Sequence, residues 1–175
     1  MHDLIAAVEP EFAAHFKQIG LLGGRYTKPA ERLEEIGFWR QAGSAGARWL
    51  IREAEHTSSL TQAWGIADVL ASMGAEAVDP IMESLACGAS DELADMMLSA
   101  LGAMSATDVA TRADQVAGSL RVFLRHPDES VRSKAAAATS VLPVQSAAAM
   151  LQSRLTEETN PDVRAAIQDE LDRRS

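Results

Sequence analysis

The chain has 175 residues, 47% of them hydrophobic and only 5% aromatic, so it suits one domain with a core of small and aliphatic side chains. Its single cysteine, Cys87, excludes an internal disulfide and a cysteine-based zinc site. Sixteen Lys and Arg against 25 Asp and Glu give a formal net charge of −9, which argues against nucleic acid as a ligand, because phosphate binding needs clustered positive charge. Met1-His2-Asp3 lacks the basic start of a signal peptide, and no stretch approaches the roughly 20 apolar residues of a membrane span. The expected setting is the cytoplasm, with no membrane partner.

Ala, Leu, Glu, Arg and Met dominate, and nothing alternates as a strand would, so nearly every segment reads as helix. At the amino-terminal end, Leu4 to Ile19 and Lys28 to Ala42 are predicted helices, joined across Gly20 to Thr27. Gly20-Leu21-Leu22-Gly23-Gly24-Arg25 lacks the Lys-Ser/Thr ending of a phosphate loop and follows a helix, so it reads as a connection, with Leu21, Leu22 and Tyr26 as possible contact points. Glu31, Glu34 and Glu35 with Arg32 are expected on a solvated helix face. Phe38, Trp39 and Trp49 are expected in the core.

Further breaks fall at Gly43-Ser44, Thr57-Ser58, Gly74, Gly88 to Ser90, Ser105-Ala106, His126-Pro127, Pro143 and Asn160-Pro161. Between them lie helices over Ala75 to Ala86, over Val144 to Glu157, and one long helix from about Asp108 to Arg125. Ser90, Thr107, Asp128 and Asn160 are the predicted caps, with Pro161 at a first helical position. Cys87, near a helix end, is expected to be a small buried hydrophobe.

The chain repeats itself. His126-Pro127-Asp128-Glu129-Ser130-Val131-Arg132 and Glu158-Thr159-Asn160-Pro161-Asp162-Val163-Arg164 each combine a turn, a capping residue and Val-Arg one turn into a helix, 32 residues apart. Aligning Met73 with Met104 gives an offset of 31, and aligning Leu93 with Val131 gives 38. A helix pair recurring at such intervals marks an α-solenoid. Leu93, Met97, Ala100, Leu101 and Met104 form one buried stripe, and Val131, Ala135, Ala138 and Leu142 another.

The runs "HPDESVRSKAAAATSVLP" and "NPDVRAAIQDELD" resemble the second helix of HEAT-type repeats, with their Asp-Pro-Asp-x-x-Val-Arg pattern. The likeness is closest over Ala113 to Arg174 and looser over Thr57 to Met104. It departs at His126, where the family favours an acid, and at Ala63 and Ala94, where the arginine would sit. The resemblance implies an all-α, right-handed superhelix of stacked antiparallel helix pairs. It would comprise one domain over 1–175: capping helices over 1–43, central repeats over 44–142, and a terminal repeat and cap over 143–175. Gln168-Asp169-Glu170 and Asp172-Arg173-Arg174 would form the polar outer face of that cap. Arg132 and Arg164 read best as a ladder between neighbouring repeats.

No catalytic constellation emerges, and no metal or cofactor is expected. His2, His15, His56 and His126 are scattered, and none forms a His pair at metal-ligand spacing. The charge pattern is more informative. Between Arg52 and Arg112 there is no Lys or Arg, while Asp68, Glu76, Asp79, Glu83, Asp91, Glu92, Asp95 and Asp108 all fall inside. Such a block weakens the folded state by self-repulsion, so it suggests a ligand, although solubility alone is the plainer account.

In HEAT-type register, Trp64, Asp68, Asp95 and Ser99 would line a concave face, with Asp91 and Arg132 nearby. An indole beside carboxylates suits a Lys- or Arg-bearing segment. The expected function is therefore a non-catalytic interaction module, monomeric or weakly self-associating, for a basic protein or peptide. It would act as scaffold, adaptor or inhibitor. A small HEAT-like enzyme or cofactor handler similar to bilin lyases is the alternative.

Overall fold

A computed structural model describes residues 10–16, 29–57 and 60–174. Gly20 to Thr27, with Leu21, Leu22 and Tyr26, lies outside them, as do His2, Ser58 and the side chains of Glu31 and Arg32. Every regular element among the described residues is helical. The chain forms two compact units, Met1–Ile81 and Met82–Ser175, which are taken in turn.

In the first unit, α1 covers 10–16, α2 runs Pro29–Ala54, α3 runs Leu60–Met73, and α4 begins at Ala75 and ends at Ala86 beyond the boundary. The break expected at Gly43-Ser44 is real: Gly43 has φ 58° and ψ −151°, kinking α2 where a side chain would be strained. α2 packs on α3, burying Trp39, Leu50, Ile66 and Leu70. Phe12 of α1 joins them, with ring centroids 5.5 Å from Trp39 and 5.8 Å from Trp49. Trp39 and Trp49 are thus core, as expected, whereas Phe38 is only half-buried, and such ring pairs stabilise beyond their area alone.

Glu35 departs from expectation. Rather than lying on a solvated face, it is 6% exposed and accepts hydrogen bonds from Trp39 Nε1 at 2.8 Å, while His15 Nδ1 lies 2.9 Å from its other oxygen. A buried indole N–H needs an acceptor, and a carboxylate one turn earlier supplies it.

The second unit contains α5 (Asp91–Gly102), α6 (Ala106–Val109), α7 (Ala113–Phe123), α8 (Glu129–Ala138), α9 (Val144–Glu157) and α10 (Pro161–Asp172). α5 packs on α8, α8 on α10, and α7 touches both α8 and α9. The two predicted stripes are buried throughout. Ser90 accepts from Leu93 N, Asp128 from Val131 N, and Asn160 from Asp162 N and Val163 N, so three predicted caps hold.

The fourth does not. Ser105, not Thr107, caps α6, in a reciprocal box with Asp108 that satisfies two backbone N–H groups at once. The long helix expected over Asp108 to Arg125 is interrupted by a 3₁₀ turn at Ala110–Arg112, which contains the β-branched Thr111, a weak helix former. Cys87 is exposed instead of buried, because it stands in the turn that closes α4. Glu170, expected on a polar outer face, is 4% exposed and held by Arg173 and Arg174 at 2.8 and 2.7 Å.

Small residues set the approach of α5 to α8. Ala135, Ala136 and Ala138 are fully buried, and a Cβ on Gly102 would lie 3.2 Å from Ala138 Cα. Ser140 Oγ donates to Gly102 O across 38 residues, the offset that the sequence alignment gave. Backbone atoms cannot move aside as a flexible side chain would. Gly102→Val should therefore lower unfolding free energy by about 1–3 kcal/mol, read by urea titration. A variant as stable as the parent would show that the helices are less tightly apposed.

Candidate functional site

In the first unit, Trp64 and Asp68 share one exposed face of α3. That helix buries Ile66, Ala67, Val69, Leu70 and Met73 on its other side. Trp64 stays 53% exposed, which is unusual for so large an apolar surface, and Asp68 one turn on is exposed as well. An indole and a carboxylate at this spacing present a π face and a negative charge together.

In the second unit, Asp91 and Glu92 occupy the first turn of α5, where the helix dipole favours negative charge. Asp91 Oδ1 lies 3.7 Å from His126 Nε2. His126 Nδ1 accepts from Asp128 N at 3.2 Å, so in the neutral ring the proton sits on Nε2, facing Asp91. Asp95 Oδ1 accepts from Ser130 Oγ at 2.7 Å. Asp91 and Asp95 therefore both engage the segment that opens α8. Ser99 is half-buried, and its Oγ is enclosed without a hydrogen-bond partner among the described residues.

Arg132 belongs to a different arrangement. Its side chain is only 12% exposed, and its Nη1 donates to the carbonyls of His126 and Pro127 at 2.9 and 2.8 Å. Nε and Nη2 donate to Glu158 at 2.8 and 3.3 Å. Arg164 mirrors it, with Nη1 on the carbonyls of Leu155 and Glu158 at 2.7 and 2.9 Å. Each arginine, six residues after His126 or Glu158, donates to carbonyls at or just past the end of the preceding helix. The guanidinium of Arg132 is turned inward by these bonds, away from the carboxylates predicted beside it.

Glu158 is the functional group the sequence did not single out. Its side chain is 1% exposed and accepts from Arg132, from Arg154 Nη2 at 2.6 Å, and from the backbone N–H groups of Thr159 and Asn160 at 3.0 and 2.9 Å. Burial pushes its pKa up, but the Asn160 N–H and the Arg132 and Arg154 guanidinium groups overcome that and hold the carboxyl at about 2, below the ordinary 4.5. The 32-residue repeat carried a signal for it. His126 and Glu158 are equivalent positions, and each accepts the N–H of the residue two places on.

Among the described residues, no three His, Cys, Asp or Glu side chains gather closely enough to hold a metal ion, and no helix is long and apolar enough to cross a membrane. No protein-family model matches the chain, and no curated protein matches it.

Because the folded state lowers the pKa of Glu158, its stabilisation is present above pH 4.5 and lost as pH falls towards 2. Glu158→Gln should be less stable than the parent near neutrality by about 3 kcal/mol. That gap should close progressively as the pH is lowered, in denaturant titrations at a series of pH values. A gap independent of pH would show that the carboxylate is not held as described.

Proposed function

We propose that the chain is a HEAT-like stack of helix pairs that works as a non-catalytic cytoplasmic interaction module, offering an acidic surface to a basic protein or peptide. One observation carries this reading. In the interval from Thr57 to Thr111, which has no lysine or arginine, every one of the eight carboxylate residues is exposed or half-exposed and none is buried. An exposed run of like charge with no basic residue to balance it raises the energy of the folded chain, and a cationic partner relieves it. Trp64 strengthens the reading, since an exposed indole next to a carboxylate attracts guanidinium or ammonium on its face.

The division of labour follows from the chemistry. Summed negative charge steers a basic partner and speeds encounter, while the indole and hydrogen-bonding carboxylates such as Asp95 slow departure. Arg132 serves the interior of the module rather than its partner.

The test uses a fluorescent arginine-rich peptide of about ten residues and anisotropy at low and moderate salt. The double variant Asp68→Arg, Asp95→Arg should weaken binding by about tenfold or more with helicity unchanged. Trp64→Ala should weaken it about threefold. Reversing Asp114 and Asp169, which lie outside the interval, should change little. Equal losses from both double variants would mean that the peptide senses only net charge, and the assigned surface would be wrong.

A further inference from the structure

The second unit also carries a feature of opposite charge. Between α7 and α9 lies a cleft of about 370 Å³. Arg121 and Arg125 line it from one side, Ser146, Ser153 and Arg154 from the other, over an apolar floor that includes Leu124. Such a volume is at the small end of ligand sites.

The arginines are unequally engaged. Arg125 Nη2 meets both oxygens of Glu157 at 3.2 and 3.1 Å, and Arg154 reaches Glu157 at 3.5 Å and Glu158 at 2.6 Å. Arg121 is exposed and makes no ion pair among the described residues. Set against Glu157 and Glu158, the three guanidinium groups that line the cleft leave an excess of one positive charge. In a chain of net charge −9, a cleft with this local balance stands out.

We propose that this cleft binds a small phosphate monoester carrying an aromatic or short apolar group. A phosphate dianion is drawn to the positive excess, guanidinium forks suit phosphate oxygens, and the serine hydroxyls supply further donors. The apolar floor at Leu124 takes the hydrocarbon part. A long polyanion is disfavoured, because beyond the cleft the surface carries excess negative charge that would repel it. This inference is independent of the acidic face assigned above, since it uses other residues and the opposite charge.

Isothermal titration of the full chain with phenyl phosphate, near neutral pH and physiological salt, tests it. One saturable site is expected, and Arg121→Gln should weaken it by about tenfold or more. The melting temperature should not change, since the removed group is exposed and makes no ion pair among the described residues. Lowering the pH to about 5, where the ester is a monoanion, should weaken binding several-fold in the parent and much less in Arg121→Gln. No saturable heat into the millimolar range, or equal affinity in the variant, would overturn the assignment. A short single-stranded oligonucleotide that bound more tightly, and depended equally on Arg121, would overturn it in favour of a polynucleotide.

Discussion

Glu158 draws hydrogen bonds from three stretches of chain at once: Arg132 near the start of α8, Arg154 in α9, and the backbone that opens α10. A buried carboxylate is tolerated only when its lone pairs are filled and its charge is met, and both conditions hold here. Each donor is in turn fixed by its own helix, so the pairing ties three helix positions to one point. Removing any of the partners leaves a buried charge exposed to its own desolvation penalty.

The same constraint sorts the charges of the protein by role. Arg132 and Arg164 close carbonyl groups behind them, and Arg173 and Arg174 close around Glu170. These cations satisfy acceptors of their own chain. The carboxylates between Thr57 and Thr111 face outward in a stretch without basic residues, so their field acts on whatever approaches. Arg121 is the cation of α7 that neither duty accounts for, which is why the cleft beside it is significant.

Much of the helical layout was legible. Gly43 kinks α2, Gly74, Gly88 and Pro143 stand at element boundaries, and Ser90, Asp128 and Asn160 cap the helices they precede. The Val-Arg repeat located both carbonyl-binding arginines, because a residue one turn into the helix reaches back each time to the carbonyl six residues before it. Burial of acids was the blind spot. Glu35, Glu158 and Glu170 look like solvated surface in a one-dimensional reading, and only the donors brought from elsewhere, Trp39, Arg132 and Arg174, make their burial affordable. Thr107 was the predicted cap, and the reciprocal bonds between Ser105 and Asp108 put the cap at Ser105 instead. Of the predicted site residues, Trp64 and Asp68 share an exposed face of α3, Asp91 and Asp95 meet the α8 entry, and Arg132 is drawn inward.

The carboxyl-carbon shift of Glu158, followed by NMR as acid is added, measures the central interaction directly. The expected midpoint is about 2, with the resonance unchanged through the range where ordinary glutamates titrate. A midpoint near 4.5 in the folded protein would contradict the arrangement, because a carboxyl that titrates normally is not enclosed by two guanidinium groups and a helix-opening amide.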